Sequence, residues 1–214
     1  IKQNMIGNKV HNLSNRLINV KSFDDLIMSL TSEWNEQSAV VIGAGHADSF
    51  INQPSLWPDI RDPASRIMFV DSMTYMPDDI LVKVDRAAMA VSLETRAPFL
   101  DHRVAELAWR LPISMKIHDG SGKHILRQVL YKYVPRQLID RPKMGFSIPI
   151  DQWLRHELRD WAEALLAPER LKQEGFFDVA MVQEAWQVHL SGSRNYSARL
   201  WSVLMFQAWL QEQS

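Results

Sequence analysis

The chain contains no cysteine among its 214 residues. Disulfides, cysteine-ligated zinc and a thiol nucleophile are therefore excluded within it, and the composition favours a reducing, cytoplasmic location. Neither sign of charge dominates, because a net charge of -1 at pH 7 gives no general attraction to nucleic acid or to an anionic membrane. No apolar run approaches the roughly 20 residues that would span a bilayer.

Apolar residues make up 46% of the chain, which is enough for a hydrophobic core. The apolar spacing is mainly helical, so the fold class is predicted to be mainly α, with residues 1–214 forming a single helical piece. The last helix is apolar nearly all round, which is typical of a buried helix. Residues that cap or open a helix predict starts at Ser22, Asp62, Asp78, Asp101, Ser121, Asp151, Asp178 and Asn195.

Several familiar sites are absent from the sequence. Residues 39–49 look like a short strand and a glycine turn, but Asp48 stands where a dinucleotide-binding loop needs its third glycine. His102 and Glu106 have helical spacing without a third metal ligand, and His156-Glu157 does not continue into the H-E-x-x-H zinc pattern. There is no G-x-S-x-G elbow for a hydrolase.

Charged residues alternate with apolar ones between residues 75 and 123. A charge among apolar neighbours is costly unless it is paired or used, so the segment is either a structural ion-pair network or a polar site. Asp85, Arg86, Glu94 and Arg96 suit both readings, because they can dock helices through salt bridges or hold a ligand. Asp101 is expected to be a helix N-cap rather than a catalyst.

Lys123 is the strongest single candidate for a functional residue. It follows Gly120 and Gly122 and is predicted to lie in the first turn of a helix capped by Ser121. The positive end of a helix dipole disfavours a lysine but favours a phosphate, so a lysine there would complete an anion site. A solvated surface lysine is the alternative. Arg141 and Lys143 form a second basic pair beside a glycine, either for an anion or at a loop surface.

Three motifs, in this order, closely resemble the C-terminal synthetase region of glutamine-hydrolysing asparagine synthetases. They are Asp85-Arg86 in a basic helix, the run SLETRAPFLD from Ser92 to Asp101, and GKHILR from Gly122 to Arg127. The similarity covers roughly residues 68–213. It implies the helical C-terminal part of an α/β adenine-nucleotide α-hydrolase-like (ATP pyrophosphatase) synthetase domain.

The resemblance also implies a reaction. ATP, with Mg²⁺, would adenylate the side-chain carboxylate of aspartate, and ammonia derived from glutamine would then displace AMP to give asparagine. Lys123 would be catalytic, stabilising charge on the α-phosphate, while Arg141 and Lys143 would contact pyrophosphate. The implied ATP- and substrate-binding set also includes Asp85, Arg86, Glu94 and Arg96, with the two arginines holding the amino-acid carboxylate or positioning Lys123.

Other family motifs do not occur in the chain: the N-terminal glutaminase cysteine, the S-G-G-x-D-S ATP loop and the acidic G-E-G-x-D-E segment. We therefore expect a fragment, inactive alone, whose ATP and Mg²⁺ contacts lie mainly on an upstream part of the same polypeptide. An apolar face normally covered by that part should be exposed and should favour self-association, for example as a homodimer. Two alternatives stay open: a related ATP-dependent amidotransferase acting on another carboxylate, and a non-catalytic helical interaction module.

Overall fold

The computed structural model describes residues 10, 13–14, 17–18, 20–34, 40–45, 49–141 and 148–213. The chain divides into two compact units, Ile1–Asn52 with Ser147–Ser214, and Gln53–Phe146. The predicted mainly α class is confirmed. None of the described helices is both long enough and apolar enough to cross a membrane.

In chain order, the described residues form the following helices and strands: α1 (Phe23–Thr31), α2 (Pro63–Met73), α3 (Val82–Met89), α4 (His102–Arg110), α5 (Ile113–Lys116), β1 (Ile117–His118), β2 (Ser121–Gly122), α6 (His124–Leu130), α7 (Arg136–Ile139), α8 (Ile150–Arg155), α9 (Arg159–Leu165), α10 (Pro168–Glu174), α11 (Val179–Leu190) and α12 (Ser197–Gln213). A π-helical turn, Met76–Leu81, leads into α3. Short 3₁₀ turns occupy Phe50–Asn52, Pro54–Leu56 and Pro98–Leu100.

Side-chain caps fix several of the predicted helix starts. Ser22 accepts a hydrogen bond from the backbone N–H of Asp25, and the Asp25 carboxylate accepts one from the N–H of Ser22, which forms a capping box. Each such bond satisfies a backbone donor that the first turn leaves without a helical partner. Side-chain caps are also confirmed at Asp62, Asp101 and Asp178.

The first unit holds the hydrophobic core. Leu154 of α8 and Leu200 and Leu204 of α12 are fully buried. Burying a leucine stabilises the fold by about 1.5–3 kcal/mol, so these side chains hold the helices together. The core cluster consists of Val40, Leu154, Ala162, Leu165, Leu166, Leu171, Phe177, Val182, Ala185, Trp186, Leu200, Val203 and Leu204.

Two predictions for this unit need correction. A single helix from Asp151 is wrong, because the N–H of Leu158 binds the carbonyl of Trp153, which shifts the helical ladder and separates α8 from α9. A last helix buried all round is also wrong, because Met205 and Trp209 are 39% and 55% exposed. The core neighbours of α12 therefore cover only part of its circumference.

The cap at Asp178 gives a measurable contribution to stability. Its carboxylate accepts a hydrogen bond of 2.9 Å from the N–H of Met181 at the start of α11, a core helix. We expect Asp178→Ala to lower the free energy of unfolding by about 1 kcal/mol. Thermal unfolding would measure this loss. Glu184→Ala, at an exposed position of the same helix, is the matched control and should change stability by less than about 0.5 kcal/mol.

The second unit buries far fewer apolar side chains than the first. Among its described residues, Trp57 and Val70 are the buried apolar side chains, and Arg66 stacks on Trp57 with 5.4 Å from its guanidinium to the ring centroid. The helix start predicted at Asp78 lies two residues late, since the π-helical turn begins at Met76.

The alternating charged and apolar segment does not form a core in the described part of this chain. Its large apolar side chains are at least 36% exposed at Ile80, Val82, Val84, Met89, Val91, Leu93, Phe99, Leu100, Val104 and Leu107. The expected exposed apolar face is thus confirmed. Its role in self-association stays a prediction.

Candidate functional site

A tight hairpin precedes Lys123. Asp119 and Gly120 have φ values of 47° and 72°, and they join β1 to β2 with His118 opposite Ser121. Two successive positive φ values are typical of a type I′ turn, for which Asp-Gly is a strong sequence signal. The predicted helix cap at Ser121 is wrong, because Ser121 pairs within this hairpin and the helix begins only at His124.

Lys123 therefore lies at the N-cap of α6 rather than in its first turn. Its φ of 60° and ψ of 34° are left-handed, a conformation that costs a non-glycine residue on the order of 1–3 kcal/mol. Its side chain is exposed and makes no cap hydrogen bond. Because α6 has only seven residues, under two turns, its dipole gives weaker support to an anion site than the sequence suggested. Three described residues other than glycine have a positive φ, namely Ser92, Asp119 and Lys123, and Lys123 is the one of the three with a cationic side chain.

An open cavity of about 430 Å³ lies against the hairpin, α6 and α7. Its lining includes three arginines, two histidines and two carboxylates, so the arginines outnumber the carboxylates and a polyanion would find an excess of positive charge. The lining residues are His118, Asp119, Ser121, His124, Arg127, Gln128, Tyr131, Arg136, Asp140 and Arg141. Of the predicted site residues, Arg141 lines the cavity, and Lys123 directly precedes its lining residue His124.

Arg127 is the centre of a hydrogen-bond cluster in this cavity. Its Nη1 donates to Oδ1 of Asp140 at 2.6 Å, and the Tyr131 hydroxyl donates to the same oxygen, also at 2.6 Å. Its Nε donates to the carbonyl of Gly122 at 3.2 Å. The hydrogen bond with Tyr131 and the charge of Asp140 raise the pKa of Arg127 above its ordinary value. Arg127 belongs to the GKHILR motif, but no signal in the sequence assigned it a role or singled out Asp140.

The other predicted residues are not gathered into one network. Glu94 and Arg96 form an ion pair of 2.6 Å between exposed side chains. Asp85 and Arg86 lie on α3, which ends at Met89, and no ion pair in the described part of the chain joins them to that pair. The four-residue salt-bridge network, which the sequence left open as an alternative, is therefore present only as its Glu94–Arg96 pair. The physical reason is the turn at Ser92, whose φ of 58° breaks the helical spacing that the full network needs.

A metal centre is not evident in this region. Within the described ranges, no group of three or more His, Cys, Asp or Glu side chains is placed to hold a metal ion. Lys143, predicted to pair with Arg141, lies outside the described residues.

Comparisons with known proteins agree with the motif order. The asparagine synthase family model matches residues 5–211, and the chain belongs to this family. A Mycobacterium tuberculosis protein that carries the provisional name asparagine synthetase (glutamine-hydrolyzing) is 42% identical over 149 residues, which are 69% of this chain and 22% of that protein. Asparagine synthetase (glutamine-hydrolyzing) 1 of Bacillus subtilis is 31% identical over 161 residues, 75% of this chain and 24% of that protein.

The chain spans about a quarter or less of the length of these curated relatives. No solved structure gives a significant match.

Proposed function

We propose that this chain is the C-terminal, helical part of the synthetase domain of an ATP-dependent, glutamine-hydrolysing asparagine synthetase. The observation that carries the proposal is the family match over residues 5–211. Lys123 joins the hairpin to α6, and residues of both line a cavity in which arginines outnumber carboxylates; this supports a polyphosphate as the ligand of this region. The chain would supply cations to a site that an upstream part of the polypeptide completes.

The proposed reaction has two steps. An oxygen of the aspartate side-chain carboxylate attacks the α-phosphorus of ATP, the bond from that phosphorus to the bridging oxygen breaks, and pyrophosphate leaves. Ammonia then attacks the acyl carbon of the aspartyl-adenylate, and AMP leaves as asparagine forms. Negative charge shifts onto the α-phosphate oxygens and the leaving pyrophosphate in the first step, so fixed cations there lower the barrier.

Different cationic residues of this chain would stabilise different phosphates in the first step. Lys123 would stabilise the α-phosphate, because it is a mobile point charge on an otherwise fixed backbone turn. Arg141 lines the cavity and would contact pyrophosphate together with Lys143. Arg86 and Arg96 would hold the amino-acid carboxylate or position Lys123, with Asp85 and Glu94 completing the same set.

Mg²⁺ does not fit the described residues of this chain as a resident ion. No suitable group of carboxylates and histidines occurs among them. The carboxylates of the cavity also have basic neighbours, since Asp140 binds Arg127 and Oδ2 of Asp119 lies 3.5 Å from Nε2 of His118. We therefore propose that any Mg²⁺ ligands lie on the upstream part of the polypeptide.

The test measures pyrophosphate release from ATP in the presence of aspartate and Mg²⁺. The parent is the full-length protein of which this chain is proposed to be a part. We expect the parent to release pyrophosphate at a rate that depends on aspartate, and the 214-residue chain alone to release none. A parent that is inactive with aspartate but active with another carboxylate would identify a related amidotransferase. A parent that neither binds ATP nor releases pyrophosphate with any carboxylate would contradict the proposal and favour the non-catalytic interaction module.

A further inference from the structure

We infer that Arg127 is a positioning residue, which acts through Asp140 to hold Lys123 and Arg141 at a fixed spacing around the phosphates of ATP. This inference rests on the proposed function. Lys123 and Arg141 lie on separate backbone segments, one at the N-cap of α6 and one after α7, and Arg127 contacts both segments.

The first segment is held by Arg127 from two sides. The backbone N–H of Arg127 donates to the carbonyl of Lys123 at 3.0 Å, and the Arg127 Nε donates to the carbonyl of Gly122 at 3.2 Å. These two carbonyls flank the left-handed backbone of Lys123. A strained residue keeps such a conformation only when its surroundings hold it. The N–H bond is the first helical bond of α6, so the contact that depends on the arginine is the bond from its Nε to Gly122.

The second segment is held through Asp140. This residue is the C-cap of α7 and directly precedes Arg141. Its Oδ1 accepts from Arg127 Nη1 and from the Tyr131 hydroxyl, both at 2.6 Å, and charge-assisted bonds of this kind are stronger than neutral ones. Arg136 stacks on the Tyr131 ring at 4.5 Å from its centroid, which further fixes the donor.

The contacts favour a positioning role over direct phosphate binding. Two of the three guanidinium nitrogens of Arg127 donate to protein oxygens, and its side chain is 32% exposed. A lysine could not reproduce these bonds, because it offers one nitrogen in place of a rigid planar fork. Misplacing a catalytic group by about 1 Å can cost on the order of 100-fold in rate.

The experiment measures kcat and KM for ATP in pyrophosphate release by the full-length parent. Arg127→Lys and Asp140→Asn are each expected to lower kcat by about 10- to 100-fold with little change in KM, since Lys123 acts mainly on the transition state. Asp140→Asn keeps the side-chain volume, so it tests the same contact if Arg127→Lys folds poorly. Arg110→Lys is the control, because Arg110 is 79% exposed and its ion pair, with Glu106, lies within a single helix.

Combination with a variant that lacks both positioned cations, Lys123→Ala with Arg141→Ala, separates positioning from direct binding. If Arg127 acts only by positioning, its effect depends on the two groups it places, so Arg127→Lys should lower kcat far less in this background than in the wild type. A full additional loss in that background would overturn the inference in favour of direct contact with ATP. Unchanged kcat in Asp140→Asn would overturn it as well.

The activity of the wild-type parent separates the positioning role of Arg127 from the proposed function. A wild-type parent that releases no pyrophosphate contradicts the proposed function and this inference with it. An active wild-type parent whose Arg127→Lys and Asp140→Asn variants match it contradicts the positioning role alone.

Discussion

Lys123→Ala in the full-length parent is expected to lower kcat for pyrophosphate release by about 100- to 1,000-fold, the usual cost of removing one preorganised group from a transition-state charge. KM for ATP should change much less, because Arg136 and Arg141, which line the cavity, remain to attract the phosphates. Initial rates over a range of ATP concentrations would measure both constants.

The loss should not come from unfolding. The Lys123 side chain is exposed and caps nothing, so its removal should change stability by less than about 0.5 kcal/mol. Lys132→Ala is the matched control, since Lys132 is an exposed lysine just after α6 and does not line the cavity. Wild-type turnover in Lys123→Ala would refute the role given to this residue.

A glycine variant sharpens the same prediction. Glycine adopts a φ of 60° without the steric cost that a side chain imposes, so Lys123→Gly should unfold at a higher temperature than Lys123→Ala. It should nevertheless be as inactive as the alanine variant. A strained residue whose relief stabilises the protein while activity is lost is the pattern expected where local strain serves function.

Local signals in the sequence predicted local structure well. The caps at Ser22, Asp62, Asp101 and Asp178 depend on bonds within three residues, so the residue type and its position were sufficient. The hairpin before Lys123 was equally local, and its Asp-Gly turn was available as a signal. The helix cap assigned to Ser121 competed with that turn, and the structure favours the turn.

Burial and pairing between distant residues were harder to predict from the sequence. The periodicity around residues 75–123 predicts that apolar residues share one face, but it does not predict what covers that face. In the structure Phe99 and Leu107 are 64% and 59% exposed. The Arg127–Asp140 pair joins residues 13 positions apart across two helices. No spacing rule of a single helix connects such residues, so the positioning role could be found only in the folded chain.

His189 should make the first unit lose stability as the pH falls from about 6.5 to 4. Its side chain is fully buried at the end of α11, and burial, followed by the charge of Arg155, lowers its pKa from 6.5 to about 4. The unfolded chain therefore binds more protons than the folded chain within this window. Stability is complete above pH 6.5 and falls by about 1.4 kcal/mol per pH unit below it, or by about 3 kcal/mol in all.

The contacts of His189 explain why the folded state resists protonation. Its Nδ1 accepts a hydrogen bond from the N–H of Tyr196 at 3.2 Å, which requires a lone pair on that nitrogen and hence the neutral ring. Its Nε2 is buried without a hydrogen-bond partner among the described residues. Asp151 opposes the shift, but its effect is smaller than those of burial and Arg155.

Urea unfolding at several pH values, followed by tryptophan fluorescence, would measure this loss, since the Trp186 ring centroid lies 6.1 Å from that of His189. His189→Asn keeps an acceptor for the Tyr196 N–H but does not titrate, so its unfolding free energy should fall less than that of the wild type across the window. His156→Asn, at an exposed histidine, should retain the wild-type slope. A wild-type urea midpoint that does not move between about pH 6.5 and 4.5 would contradict the prediction. It would mean that burial does not lower the pKa of His189 enough to link its protonation to unfolding.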